Sequence, residues 1–454
     1  MRINNILLNL KKENYIEKFE LNWPGKKLAI AEIDKEPKSK LVINCEKSFN
    51  PKKTKNIFIE GDNQEALKLL KADYTGKIKL IYIDPPYNTG NNFVYTDNFK
   101  SKQNNEKRSN DSNPDELIKR NNINSGRIHS NWLSMMFPRL YLAHNLLKND
   151  GIILISIDHH ESATLRLIMN SIYGEKNYVG EFVWHNRTTP NDTKRNFTTD
   201  HEYILIYAKN AKLVNFEGVK KNLSNYKNKD KDPNGPWIVD NPSAASGTES
   251  YRFPIENPFT GEIYYPPAGR FWAFAPKRVQ EWLKSGKLVF PKKKGKRFTL
   301  KKYLHELRST KKPLSSVIKG ILTTKGTREL KDLFNSGSPF KYPKPVELIQ
   351  LLIEQYTIDG DLVIDFFAGS GTTAHAVIKS NLETGQNKNF IIVQIPEKIP
   401  ENNPAYKEGY RVITDITKRR INLVIDKLKK DNENILGYDY YQIKPSKRDL
   451  YKEI

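Results

Sequence analysis

The chain has 454 residues, length enough for roughly two to four domains, and its 75 Lys and Arg against 52 Asp and Glu give a formal charge of +23. An excess of that size points to a polyanionic partner. A lone cysteine, Cys45, excludes an intrachain disulfide and a cysteine-ligated zinc site and suits a reducing cytoplasm; no apolar run nears the roughly 18 residues of a membrane span, so a soluble, unprocessed protein without a membrane partner is expected.

In chain order, residues 1–55 form an N-terminal arm with no motif. "KNIFIEGDNQEALKLL" (55–70) predicts a strand, a Gly-Asp turn and a helix, with Asp62 and Glu65 spaced as a capping box. "KIKLIYID" (77–84) predicts a buried strand running into "PPYNTG". Residues 101–127 are Asn-, Lys- and Ser-rich, and they predict a mobile cover next to that motif. "NWLSMMFPRLYLAHNLLK" has helical spacing with Pro138 expected to kink it, and Trp132, Met135 and Met136 read as core. "GIILISID" (151–158), 178–184 and 202–208 are further strands. Residues 209–337 change texture, with many Tyr, Trp and Pro and the basic run "PKKKGKRFTLKK", which predicts a separate inserted domain. "GDLVIDFFAGSGTTAHAVIKS" (360–380) then predicts strand, glycine turn and helix, and "NFIIVQIPE" (389–397) another strand; from Arg411 an amphipathic helix begins the tail, 401–454. Strands alternating with helices imply an open, mostly parallel α/β sheet split by the insertion into parts 56–208 and 338–400.

Two segments carry chemistry. In "DFFAGSGTT" small residues between a buried strand and a helix let a nucleotide-like ligand approach the backbone, although no Lys follows Gly371 as a Walker loop requires, and a tight turn alone would also explain it. In "DPPY" Asp84 closes a strand, Pro85 and Pro86 stiffen the turn and leave carbonyl acceptors, and Tyr87 adds a flat face. Together they suit a planar ligand bearing an exocyclic amine. That amine is a poor nucleophile because its lone pair is delocalised; two acceptors on its hydrogens would aim the lone pair at an electrophile, which is activation by geometry and electrostatics.

"DPPYNTG" with a downstream "DxFxGSGTT" resembles the amino-group DNA methyltransferases that use S-adenosylmethionine, in the motif order of their circularly permuted beta class. The strings "FIEGDNQEALKLL", "YIDPPYNTGNNFVYTDNF", "ISIDHHE", "HEYILIYAKN" and "KYPKPVELI" look like the Mod subunits of type III restriction-modification systems. The resemblance implies a Rossmann-like class I methyltransferase sheet with an inserted target-recognition domain (209–337), acting on adenine N6 in double-stranded DNA. It implies that Asp84, Pro85, Pro86 and Tyr87 hold a flipped adenine, with Asp84 and the Pro85 carbonyl on its amine and Tyr87 stacking. For the cofactor it implies Asp365, Phe367, Gly369, Ser370, Gly371 and Thr372 at the pocket, Lys344 and Pro345 beside the methionine end, and Asp62 near the adenine. Gln394 stands where such enzymes place an acid on the ribose, with Glu397 as substitute. Flipping costs a few kcal/mol, of which stacking returns about 1–3, and Lys and Arg contacts to phosphate supply the rest.

A homodimer and a separate restriction subunit are expected by resemblance alone, and Mod subunits run longer than this chain, so a compact relative from another system type fits as well. Cytosine-N4 methylation, RNA methylation and a non-catalytic DNA-recognition subunit are the competing functions; within the family it resembles, Asp rather than Ser before Pro-Pro-Tyr favours adenine. "SIDHHES" (156–162) resembles a metal cluster, yet consecutive residues at a strand end should diverge, so a polar cap and no metal are expected.

Overall fold

The computed structural model describes residues 20–51, 54–89, 127–189, 197–335, 337–428 and 437–446. The chain divides into two compact units, Met1–Phe216 with Ser315–Ile454, and Glu217–Leu314. Residues 101–126 of the expected cover lie outside the described residues.

The first unit is built on a ten-stranded sheet. Its strands are β1 (Ser39–Ile43), β2 (Ile57–Glu60), β3 (Ile78–Ile83), β4 (Leu147–Ile157), β5 (Tyr178–His185), β6 (His201–Ala208), β7 (Val317–Ile318), β8 (Leu362–Asp365), β9 (Asn389–Gln394) and β10 (Asp439–Pro445). Their spatial order is β1-β10-β2-β9-β8-β3-β4-β6-β5-β7. From β10 to β4 every pairing is parallel; β1 and β6 join antiparallel at the two flanks. The helices are α1 (Lys26–Ile33), α2 (Asn63–Tyr74), α3 (Arg127–Leu146), α4 (Ser162–Tyr173), α5 (Thr323–Phe334), α6 (Val346–Glu354), α7 (Thr372–Thr384) and α8 (Ile413–Leu428), with a short turn of helix at Pro404–Lys407.

The central strands read as near-continuous apolar runs because both their faces are covered. Ile59, Ile81, Ile83, Ile153, Ile155, Ile364, Ile391 and Val393 share one core with residues of α2, α3 and α4. The alternate residues Phe58, Leu80, Tyr82, Leu154, Val363 and Ile392 are buried too. Helices α1 to α4 pack among themselves, as do α6 with α7 and α5 with α8. Helix α3 runs unbroken through Pro138. Its Trp132, Leu133, Met135, Met136, Phe137 and Leu140 are all buried, and that packing holds the helix together where a proline alone would interrupt it.

Three elements near the two ends of the described chain escaped the sequence reading. The arm contributes α1 and the edge strand β1, and the tail, expected to be helical, also carries β10, which inserts between β1 and β2. Tyr440 of β10 is buried and donates its hydroxyl to Glu60 Oε2 at 2.6 Å, while the Gln442 amide reaches Glu60 Oε1 at 2.6 Å. A polar strand pairing at 4.8 Å spacing with a distant partner carries little local signal.

The second unit has short antiparallel pairings, three strands at Leu288–Val289, Thr299–Tyr303 and Trp237–Asp240, and the helix Lys277–Lys284. Its core is aromatic: Trp272, Phe274, Phe290 and Phe298 pack with Ile255, Leu288 and Leu300. Lys301 is buried between Asp230 and Asp232 at 2.5 Å from each; burial raises the Asp232 pKa, but Lys301 with hydrogen bonds from Asn234 and Tyr303 outweighs it and holds that carboxyl well below its ordinary range.

Candidate active site

Strands β3 and β8 are parallel neighbours, with Leu80 opposite Val363 and Ile81 opposite Ile364. From β3 the chain proceeds through α3 to β4 on one side; from β8 it proceeds through α7 to β9 on the other. The sheet order therefore switches direction between them, and the carboxyl ends of these two strands border a crevice. "DPPY" lies at one end and "FFAGSG" at the other, nearly three hundred residues apart in the chain.

Beyond Ile83 the acceptor turn is held from outside. Trp132 Nε1 donates to the Pro86 carbonyl at 2.7 Å, which leaves the Pro85 carbonyl without a hydrogen bond among the described residues. Asn88 adopts a left-handed φ of 62°, a conformation Asn tolerates, and its amide donates to Glu161 Oε1. Glu161 is wholly buried and also meets His129 Nδ1 at 2.6 Å and the Thr164 hydroxyl. Its carboxylate thus anchors the turn to α3 and α4.

Inside the crevice Asp84, Tyr87 and Lys344 form one network. Lys344 Nζ donates to Asp84 Oδ1 and Oδ2 at 2.7 and 2.8 Å and to the Tyr87 hydroxyl at 2.8 Å, with its charge 4.9 Å from the Tyr87 ring centre. The Tyr87 hydroxyl lies 2.8 Å from Asp84 Oδ1 and 2.9 Å from Glu202 Oε2. Burial pushes the phenol pKa far up, and the Asp84 and Glu202 charges push it further, so Tyr87 stays neutral. For Lys344 burial favours the neutral amine, but the two carboxylates outweigh it and raise its pKa.

The glycine turn is braced by side chains aimed into the protein. Gly369 and Gly371 have φ of 52° and 83°, and a Cβ on Gly369 would come 3.2 Å from the Phe340 ring. Asp365 Oδ1 accepts the Phe367 N–H at 2.9 Å and Oδ2 the Thr373 hydroxyl at 2.5 Å; burial raises its pKa to about 7. Arg420 of α8, fully buried, donates to Ser370 Oγ and Thr372 Oγ1, both at 2.7 Å. Burial depresses its pKa to about 10. Gln394 Oε1 accepts the Gly369 N–H at 2.7 Å, and Thr417 donates to the Gly369 carbonyl at 2.6 Å.

Of the residues singled out from sequence, the structure gathers Asp84, Tyr87 and Lys344 by direct contact, and it sets Pro345 at the start of α6 and buries Phe367. Asp365, Ser370, Thr372 and Gln394 hold the turn's shape through the bonds above. Asp62 caps α2 by accepting the Glu65 N–H at 2.9 Å and meets Arg139 at 3.2 Å; Glu65 turns to the Lys38 N–H, so the reciprocal half of the capping box is not formed. Arg139 also holds Asn63, whose amide donates to the Phe366 carbonyl at 2.7 Å, linking this helix start to the glycine turn. Glu397, half-buried, makes no side-chain hydrogen bond among the described residues, and burial raises its pKa. Sequence reasoning missed the parts played by Glu202, Arg420 and Glu161. Glu202 stands in the quoted "HEYILIYAKN", where the acid opening a strand was the available signal. The Asp158, His159 and His160 side chains converge, with ligand atoms within 4.8 Å of one another, rather than diverging as expected; His160 Nδ1 lies 2.8 Å from Asp158 Oδ2.

A DNA methylase family profile, the N6/N4 type, matches residues 78–408, which takes in both motifs. The chain belongs to the N6/N4 DNA methylase family. It is a DNA methyltransferase. The EcoP15I Mod subunit of a type III restriction-modification enzyme from Escherichia coli is 35% identical over 97% of this chain and 73% of its own length. The type II methyltransferase M.KpnI from Klebsiella pneumoniae is 33% identical over 82% of this chain and 88% of its own. A solved structure, the M1.HpyAVI–SAM complex, is 14% identical with a TM-score of 0.36 and covers 81% of this chain and 99% of that one. Among the described residues no helix of this methyltransferase is long and apolar enough to cross a membrane.

Proposed function

We propose that the protein methylates adenine N6 of a flipped base in double-stranded DNA, as the modification component of a restriction-modification system. The observation that carries this reading is the acceptor pair at the carboxyl end of β3, beside the glycine turn of β8: the Asp84 carboxylate and the Pro85 carbonyl, which no other group among the described residues occupies.

The methyl donor is S-adenosylmethionine, which supplies an electrophilic methyl on a sulfonium. The residues present fit it. Two left-handed glycines open the backbone ahead of α7, the buried Phe367 offers an apolar wall, and Glu397, a carboxylate with no side-chain hydrogen bond among the described residues, lies beyond β9 and suits ribose hydroxyls. In this reading Gly369 and Gly371 admit the cofactor by close approach. Asp365, Ser370, Thr372 and Gln394 keep the turn rigid, Lys344 and Pro345 flank the methionine end, and Asp62 borders the adenine end. Asp84 and the Pro85 carbonyl accept the two amine hydrogens, Pro86 fixes the turn, and Tyr87 stacks on the base. With the donor bound, methyl transfer would place positive charge on the amine nitrogen, and the Asp84 carboxylate would stabilise it through the N–H it accepts.

The compact unit Glu217–Leu314 is the proposed target reader. It carries 21 Lys and Arg against nine Asp and Glu, and Lys292, Lys293, Lys294, Lys296 and Arg297 are all exposed. Such a surface suits phosphate contacts, with base readout by its polar and aromatic residues. Similarity to the Mod subunit of a restriction-modification enzyme supports a separate restriction subunit as partner, and a homodimer is part of the same proposal. Methylation-sensitive long-read sequencing of DNA from cells expressing the protein tests the whole reading: N6-methyladenine at one recurring motif is expected, whereas N4-methylcytosine would replace the base assignment and no modification would refute the activity.

A further inference from the structure

Asp84 is not alone with its ammonium. The same Lys344 Nζ lies 3.4 Å from Glu202 Oε2, and the single phenolic proton of Tyr87 has two carboxylates to choose between, at 2.8 and 2.9 Å. Glu202, the second residue of β6, has its side chain only 18% exposed, and its other oxygen is fixed by the buried Asn186 amide at 2.8 Å. One cation and one phenol therefore stand between two acids, one of which belongs to the acceptor pair.

The reaction imposes a conflict on this arrangement. An incoming amine brings donors that need Asp84, and during transfer its nitrogen becomes positive. A lysine ammonium bonded to both Asp84 oxygens competes for the same acceptor and repels the growing charge. Lys344 cannot simply leave, because a buried, unpaired ammonium is costly. A second carboxylate within reach removes the conflict: a displacement of well under 1 Å would bring Lys344 from 3.4 Å to the roughly 2.8 Å of a charge-assisted bond with Glu202.

Resting on the amine-methyltransferase reading above, we infer that Glu202 is a positioning residue that takes Lys344 from Asp84 when the target base enters. It turns the Tyr87 hydroxyl with it, so that Asp84 faces the amine free of the ammonium. Asn186 sets the geometry by leaving only Oε2 of Glu202 directed at the network.

The test is single-turnover transfer of labelled methyl from S-adenosylmethionine to unmethylated duplex DNA from a methylation-deficient host. Wild type, Glu202→Gln, Glu202→Asp, Lys344→Met and the Glu202→Gln/Lys344→Met double variant are compared, with thermal midpoints recorded. No transfer by wild type would sink the parent reading and is thereby distinguished from failure of this one. With wild type active, Glu202→Gln should slow the transfer step about 100-fold, in the range of a lost electrostatic positioning group, while KM for DNA and cofactor change less than about threefold. Glu202→Asp should recover at least about tenfold of that loss. In the double variant the loss should equal that of Lys344→Met alone, because without the ammonium there is nothing for Glu202 to receive. Multiplicative losses in the double variant, wild-type rates in Glu202→Gln, or an Asp variant no better than Gln would each overturn the inference. Should Glu202→Gln fail to fold, the Asp variant against Lys344→Met still decides it, since the Asp variant must then lose rate without losing affinity.

Discussion

The two compact units solve different problems with different materials. The sheet unit fixes a small number of side chains by deep burial: Asp365, Glu161, Arg139 and Arg420 are all buried, and each holds a turn or a helix start in place. The Glu217–Leu314 unit has strands of two to five residues around an aromatic core and leaves its basic run in solvent. Chemistry at one amine tolerates little positional error, so its scaffold is rigid and paired. Binding a polyanion depends on summed charge, which tolerates mobility of any single lysine. Variants in one unit should accordingly alter catalysis and cofactor affinity, and variants in the other DNA affinity, without crossing over.

The largest effect on cofactor binding should come from Gly369→Val. At φ 52° a β-branched residue is strained, and its Cβ would press on Phe340 at 3.2 Å, displacing the turn. Calorimetric affinity for S-adenosylmethionine should fall more than about 100-fold, while DNA retention at low salt stays near wild type. Replacing Lys292, Lys293, Lys294 and Lys296 by Gln should do the reverse. Each lost phosphate contact lowers the slope of log affinity against log salt by about one, and cofactor affinity should not move. A loss of cofactor binding in the lysine variant would break the division of labour.

A smaller loss is expected for Glu161→Ala, which strips partners from the Asn88 amide and the Thr164 hydroxyl. Urea unfolding should show a destabilisation of about 2–4 kcal/mol. The most specific effect concerns pH. The folded Asp365 pKa, raised to about 7 by burial, exceeds the unfolded value near 4. The folded protein therefore keeps a proton that the unfolded chain releases. The stabilising contribution is complete below pH 4 and is lost as pH rises through 7. Asp365→Asn should flatten stability across pH 4–7 in denaturant titrations, and an unchanged slope would assign the proton elsewhere.

Much of this site was legible in the sequence because its signals are local. A buried strand ending in Asp-Pro-Pro-Tyr and another ending in a Gly-Ser-Gly turn each announce themselves within a dozen residues, and the alternation of strands and helices between them implied the parallel sheet. What stayed hidden depends on long-range pairing. Strand β10 acquires its meaning from Glu60, and Arg420 from two hydroxyls some fifty residues earlier in the chain. Glu202 looks like any acid opening a strand until β6 is placed beside β4 and Lys344 arrives from a loop 142 residues later. The roles expected for Asp62 and Gln394 drew on resemblance, and their side chains here cap α2 and brace Gly369. The convergence of Asp158, His159 and His160 shows that strand-end residues leave the alternation of the strand at once.

The central claim is that Asp84 is the acceptor that prepares the target amine, in a crevice it shares with the glycine turn. The most direct measurement is methyl transfer by Asp84→Ala set beside its affinities for duplex DNA and S-adenosylmethionine. Transfer should fall by at least about 1,000-fold while both affinities stay within a few-fold of wild type. Retained transfer, or a parallel collapse of binding and rate, would contradict the role given to Asp84.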